Sequence, residues 1–288
     1  MVRAWLAIVI LAAVNGVVRG DEGSLSDRQR IVTDLAKRTV ELTQFRVAKG
    51  NAPLVHHGPL LRWSNPTAGE VHGEIHLWTE DGRPACIGSV YRWFSPQWGA
   101  TLEVSSLVDR QVVARQRDRE FWKPPAAAIR WEPLAGSEAP ADTPAGRLIQ
   151  MRRILRDFAA TLRDTRRTEE PVERRLRLMP QPLFRYPAPS ATASYLDGAM
   201  FSFVEGTDPE VLILLECDAA KTGAAPAKET EPAWRWGAVR MNMDSQTVSL
   251  SGRAAWSADG LELSRVLSAP AEPYAYFMLE EQTGEVKR

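Results

Sequence analysis

Gly198–Glu216 reads GAMFSFVEGTDPEVLILLE, two apolar runs on either side of a Gly-Thr-Asp-Pro turn. Each run has strand length and is bounded by turn residues, so the stretch predicts a β-hairpin. Gly73–Tyr91, GEIHLWTEDGRPACIGSVY, lies 125 positions earlier and superposes without a gap, with Gly198 over Gly73, Phe203 over Trp78, Glu205 over Glu80 and Pro209 over Pro84. The expectation that decides the fold is therefore a helix-plus-sheet unit used twice.

Outward from this hairpin pair, the same order of matches continues. PLLRW at Pro59–Trp63 returns as PLFRY at Pro182–Tyr186 with a shift of 123, and Trp98-Gly99-Ala100 returns as Trp236-Gly237-Ala238 with a shift of 138. Ser24–Lys49 carries Ile31, Leu35, Leu42 and Phe45 at helical spacing, a Ser26/Gln29 capping box and a Gly50-Asn51 stop, and predicts one amphipathic helix. A second helix begins at Pro144 behind Thr143 and runs through Leu148, Met151, Leu155, Phe158 and Leu162, with Ile154 over Ile31 and Phe158 over Leu35. Pro133–Thr143 is rich in Ala, Pro and Gly, a linker composition. Asp218–Ala233, a mixture of Ala, Pro, Lys and Glu, predicts a mobile loop. Strands are further expected at Leu60–Trp63, Gly73–Thr79, Ala85–Trp93, Ala100–Leu107 and Gln111–Gln116, then at Trp236–Met243, Thr247–Ser251 and Tyr274–Leu279. Runs of neighbouring strands without strand–helix alternation predict an α+β fold. The expected organisation is a first unit over 24–132, a linker over 133–143 and a second unit over 144–288, each an amphipathic helix packed on a twisted antiparallel sheet.

Composition excludes some function classes and admits others. Lys plus Arg (36) equals Asp plus Glu (36), so no global field draws the chain to nucleic acid or to an acidic membrane surface. Ten Trp residues supply flat faces of the kind glycan and peptide sites use, and buried packing is the other reading. Arg3, the apolar run Ala4–Val14 and Val18-Arg19-Gly20 predict a signal peptide over 1–20, and hence a secreted or periplasmic protein. Cleavage after Gly16 and an uncleaved N-terminal anchor are the alternatives. No later segment approaches the roughly 20 apolar residues of a membrane span. Cys86 and Cys217 leave two readings open, a bridge or two buried thiols.

Three constellations carry possible chemistry. On a strand His72, Glu74 and His76 share a face, with His56 or His57 within approach, and two imidazoles with a carboxylate suit zinc or another transition metal. Their counterparts Ala199 and Phe201 give that face a packing reading instead. Arg62-Trp63 and Arg185-Tyr186 recur at matching places, and a guanidinium beside an aromatic ring either lines a ligand groove or acts as a structural staple. Asp208 and Glu210 flank the second hairpin turn, readable as paired carboxylates for acid–base work or as turn chemistry. Arg83 on the first turn is placed to meet them if the units pack about a two-fold axis. No GxSxG, Walker, GxGxxG or HExxH pattern occurs.

Taken together, LRWSNP, LWTEDGRP, YRW, QMRRILRDF, RLRLMPQPLFRY and GTDPEVLILLE resemble a group of exported, uncharacterised proteins of planctomycete-type bacteria. The resemblance implies export and a shared architecture from Ser26 onward and carries over no active site. The sequence expectation is thus an exported, non-enzymatic binding or structural module without a cofactor. Its partner would be a small ligand, a glycan or another envelope protein, the last held through the Asp218–Ala233 loop. The alternative is a metal-dependent hydrolase using the His/Glu/His strand.

Overall fold

The computed structural model describes residues 25–48, 50, 52–124, 129–164, 171–190, 193–219, 232–262 and 272–287. The expected signal peptide (1–20) and most of the Asp218–Ala233 loop (220–231) lie outside them.

Helix α1 (Leu25–Leu42) buries Val32, Leu35, Ala36 and Thr39. It ends before Phe45 because Thr43–Val47 alternates buried and exposed residues, the period of a strand, and forms β1. Helix α2 (Pro144–Ile154) starts as expected, with Pro in its first turn and Thr143 Oγ1 accepting the Gly146 N–H. It too is shorter than its 3/4 spacing implies. A 3-10 turn (Leu155–Asp157) leads into β9 (Phe158–Asp164), where residues 158, 160, 162 and 164 are all buried. Phe158 and Leu162 satisfy both periods, and the period of two wins because a partner strand is there to pair with.

In the first half β2 (Val55–Ser64), β3 (Glu70–Glu80), β4 (Arg83–Ser95) and β5 (Gly99–Ser106) pair antiparallel in chain order. The hairpin β6 (Val112–Gln116) and β7 (Arg119–Trp122) pairs with β1 as a separate three-stranded sheet. A two-residue strand, β8 (Glu132–Pro133), follows. In the second half β10 (Val172–Arg175) joins β9, while β11 (Arg177–Leu178) and β12 (Phe184–Pro187) both pair with β13 (Tyr195–Glu205). β13 continues antiparallel to β14 (Asp208–Asp218) and β15 (Ala233–Arg240). The hairpin β16 (Ser245–Leu250) and β17 (Arg253–Ala258) pairs with β9, and β18 (Tyr274–Leu279) closes the order.

The two large sheets pack face to face. Ile75 and Leu77 of β3 and Ile87 of β4 meet Met200, Leu212, Leu214 and Val239 from β13, β14 and β15. On the far side of the first sheet, Trp78, Cys86, Val90 and Leu102 are covered by Leu35 of α1 and by Phe45 and Trp122 of the three-stranded sheet. On the far side of the second, Phe201, Phe203, Val211 and Ile213 are covered by Met151 of α2 and by Phe158 and Val248. Central strands enclosed on both faces explain why GAMFSFV and VLILL are almost continuously apolar. Full burial of one such side chain contributes about 1.5–3 kcal/mol.

The edge strands cross the expected unit boundaries. β8 pairs with β15 of the second sheet, and β18 pairs with β5 of the first. The stretch expected as a linker is tied down: Ala141 N–H donates to Gln150 Oε1, and Gln150 Nε2 donates to the Ala139 carbonyl at 2.9 Å. Cys86 and Cys217 are free and buried in separate clusters, which selects the thiol reading over the bridge. No helix among the described residues is long and apolar enough to cross a membrane.

Candidate functional site

The Arg-aromatic pairs are engaged within the fold. Trp63 lies flat against Gly73, where a Cβ would come within 2.3 Å of the ring, and its Nε1–H donates to Ser89 Oγ at 3.0 Å. Tyr186 lies against Gly198 in the same way, at 2.2 Å, and its hydroxyl donates to Glu216 Oε1 at 3.1 Å. Arg62 Nε donates to Glu74 Oε1 at 2.9 Å, and Arg185 NH2 to Asp197 Oδ2 at 2.6 Å. Glycine is needed under each ring for the close approach. Of the four residues Trp63 also borders the cleft described below.

The histidines divide. Glu74 and His76 share the α1 face of β3, their Oε2 and Nε2 lying 3.6 Å apart, and His56 Nε2 approaches His76 Nδ1 to 3.1 Å. His56 comes from β2 itself, not from a preceding loop. Burial works against the Glu74 charge, but the His76 imidazole 3.6 Å away and the hydrogen bonds from Thr33 and Arg62 more than offset it and hold the carboxyl at about 2. Burial, then the neighbouring His76 and His57, pulls His56 down to about 4, so the His56 imidazole is neutral at neutral pH. His72 turns to Phe94, ring centroids 5.9 Å apart. Among the described residues no three His, Cys, Asp or Glu side chains converge as a metal seat. The strand period placed His72, Glu74 and His76 on one face as expected, but only two of them meet.

A cleft of about 790 Å³ lies at the seam between the large sheets. Trp63, Tyr91, Trp93 and Tyr276 form its aromatic wall. Among the described residues Glu103, Glu205, Asp208, Glu210, Asp244 and Glu262 border it, with one arginine, Arg174. β14 explains how the acids arrive there. Alternate residues share a face, and the face turned to the first sheet reads Glu210, Leu212, Leu214, Glu216, with leucines in the shared core and a carboxyl at each end; a register shift opposite Phe203 and Val204 interrupts the alternation before Asp208.

The two ends of β14 are neutralised differently. Glu216, fully buried, receives Arg83 Nε and NH2 at 2.8 and 2.9 Å and Arg235 NH2 at 2.6 Å, and the Arg83 guanidinium lies over the rings of Trp131 and Tyr195 at 5.3 and 5.4 Å. Arg83 thus joins the two halves, as its turn position suggested, but through Glu216 and not through Asp208 or Glu210. At the other end Glu210 is 1% exposed, and the one donor to its carboxyl among the described residues is the Asn242 amide, 2.5 Å from Oε2. Asp208 Oδ2 has Asn65 Nδ2 at 3.5 Å, an amide it shares with Glu205 Oε2 at 3.3 Å. Burial, then the nearby carboxylates, pushes both the Asp208 and the Glu210 carboxyl well above the usual carboxylate range. Glu205 is paired with Arg174 at 2.9 Å, and Glu103 accepts the hydroxyls of Tyr91 and Tyr274 at 3.0 and 2.8 Å.

Arg240 fixes the rim beside Glu210. Its guanidinium donates to the carbonyls of Asn242, Met243, Asp244 and Asp259 at 2.8–3.1 Å, which sets Asn242 against Glu210. Sequence reading reached Asp208 and Glu210 and missed Asn65, Glu103, Tyr91 and Asn242. Two of these lay inside quoted motifs, YRW and LRWSNP, but their convergence with residue 242 is a contact between halves that no local pattern encodes. Comparison with protein-family models, with curated proteins and with solved structures returns no match for this chain.

Proposed function

We propose that the chain is an exported binding module built of two similar units, and that its ligand seat is the acidic, aromatic cleft between them. Export rests on the Arg3 and Ala4–Val14 pattern. The two-unit reading is supported by the order of elements in each half. A helix runs directly into a strand (α1–β1, α2–β9), that strand pairs with a late hairpin (β6–β7, β16–β17), and the four strands between form a meander (β2–β5, β12–β15). The Trp63–Gly73 and Tyr186–Gly198 contacts recur at corresponding places. Hydrogen-bond register sets Thr101 opposite Tyr91 and Arg235 opposite Glu216, so the Trp98/Trp236 match is out of step and drops out of the correspondence.

The observation that carries the ligand seat is Glu210, a carboxyl buried at the wall of a cleft that meets an amide, Asn242, and no ion-pair partner among the described residues. Burying such a group costs stability, and groups that cost stability in a cavity mark function. Binding, and not catalysis, is the reading because the described residues of the cleft show no nucleophile hydrogen-bonded to a base. The test is the thermal midpoint of the chain from Asp21 against panels of small cations, glycans and metals. A ligand that binds only the folded state raises the midpoint, by about 2.7 kcal/mol of stability at a hundredfold excess over its Kd. A shift that disappears in Glu210→Gln supports the seat, and a shift unaltered by that substitution moves it elsewhere.

A further inference from the structure

The class of ligand follows from how the polar groups of the cleft are already engaged, given the reading above that the cleft is the seat. Arg174 bridges Asp164 and Glu205, each at 2.9 Å, so its guanidinium is held within the fold. Glu103 accepts two tyrosine hydroxyls. The amides of Asn65 and Asn242 donate to carboxyl oxygens and accept the backbone N–H groups of Ala68 and Asp244. These partners fix the wall before any ligand arrives. Burial, then the neighbouring carboxylates, opposes ionisation of Asp208 and Glu210, which keep their protons to higher pH than an ordinary carboxyl. A protonated carboxyl both donates and accepts, as an alcohol does.

An anion entering this cleft would meet Glu103 and Glu205, and a cation would depend on carboxyls that resist ionisation. A neutral ligand that carries hydroxyls avoids both. The aromatic wall supplies a second requirement, independent of any titration. Trp63 and Tyr91 are buried, Trp93 and Tyr276 are half-buried, and Gln97, which also borders the cleft, is exposed. A pyranose has a face of C–H bonds and a rim of hydroxyls, so it takes an aromatic ring beneath it and polar groups around it. The volume of about 790 Å³ falls within the roughly 300–1,000 Å³ of small-molecule sites.

We propose that the cleft binds a neutral oligosaccharide, with a sugar ring against Trp93 and Tyr276 and hydroxyls hydrogen-bonded to Glu210 and Gln97. Stacking on a ring and accepting a further hydroxyl are both compatible with the partners that the wall residues already have, because a carboxyl or amide oxygen has two lone pairs. At Glu210 the Asn242 amide engages Oε2, and Oε1 is the oxygen assigned to the ligand.

The experiment is calorimetric titration of the chain from Asp21 with cellotriose, chitotriose and maltotriose, and in parallel with agmatine and with calcium chloride. At least one trisaccharide is expected to bind, equally at low and high salt, since an uncharged ligand forms no contact that counter-ions screen. Trp93→Ala is expected to weaken it roughly tenfold or more. In Glu210→Gln the amide oxygen stays with Asn242 and an NH2 stands in place of Oε1, so the loss of that acceptor is expected to weaken binding about tenfold. Gln97→Ala, at an exposed position, is expected to weaken it roughly threefold and keeps the cleft under test if Trp93→Ala fails to fold. Trisaccharide binding unchanged in all three variants overturns the site. A response to agmatine or calcium that Glu210→Gln removes, with none to the trisaccharides, overturns the sugar class and leaves the cleft as the seat. Silence from all five probes overturns both.

Discussion

Among the described residues, Glu74, Asp164, Asp197 and Glu216 are as deeply enclosed as Glu210, and each meets arginine: Arg62, Arg174, Arg147 with Arg185, and Arg83 with Arg235 respectively. The contrast gives two substitutions of opposite sign. Glu216→Gln leaves two guanidiniums beside a neutral amide in the core and is expected to cost about 3–5 kcal/mol in denaturant melts, the range for breaking a buried pair. Glu210→Gln removes a carboxyl that burial disfavours and keeps a polar partner for Asn242, so it is expected to stabilise at pH 8. The pH dependence has a definite sign. The folded carboxyl at Glu210 titrates well above its unfolded value of about 4, so above pH 4 the unfolded chain binds fewer protons than the folded one. Stability at this residue is therefore fully present at acid pH and is lost as pH rises toward the folded pKa. Melts of wild type and Glu210→Gln from pH 4 to pH 8 are expected to diverge upward in pH, with the variant ahead at the basic end. Parallel curves would mean that the carboxyl is compensated.

At the scale of elements, the hairpins were legible because length, turn residues and period all agreed. Glu210, Leu212, Leu214 and Glu216 follow the period of two along β14, but the register shift opposite Phe203 and Val204 takes Asp208 out of that count. The helix ends were not legible, since Phe158 and Leu162 fit a spacing of three or four and a spacing of two equally well. What settled them was the presence of β16 beside β9, a partner nearly a hundred residues on. The same limit hid the cleft: Asn65, Glu103 and Asn242 meet Asp208 and Glu210 only once two sheets stack. The recurring Arg-aromatic motif was legible as a motif, but the close approach of each ring to its glycine was not. Gly73→Ala and Gly198→Ala place a methyl within 2.3 and 2.2 Å of Trp63 and Tyr186. Each is expected to cost about 1–3 kcal/mol, the range for overpacking, read as a lower denaturant midpoint with unchanged m-value. At the α2 start, Thr143→Ala removes the hydroxyl that accepts Gly146 N–H and is expected to cost about 1 kcal/mol.

At the scale of the whole molecule, the exchange of edge strands decides whether the halves are domains. β8 leaves the first half to pair with β15, and β18 leaves the second to pair with β5 over six residue pairs, from Tyr274–Ser105 to Leu279–Ala100. Ala275, Phe277 and Leu279 of β18 belong to the core beneath α1. A chain ending at residue 143 would therefore expose the edge of β5 and leave that core unfilled. A chain starting at 144 would carry β18 with no sheet to join, and each half would show water the leucine or isoleucine face that the other covers. Open strand edges and large apolar faces aggregate. Expressed singly, 21–143 and 144–288 are expected to be insoluble or to melt without a cooperative transition. Co-expressed, they are expected to elute together by size exclusion as a one-to-one complex that recovers the cleft, because every crossing strand lies wholly within one fragment. A stable, cooperatively melting 21–143 fragment would refute this and make the two units independent domains. Failure of the co-expressed pair to associate would place the decisive contact in the covalent connection between β8 and α2.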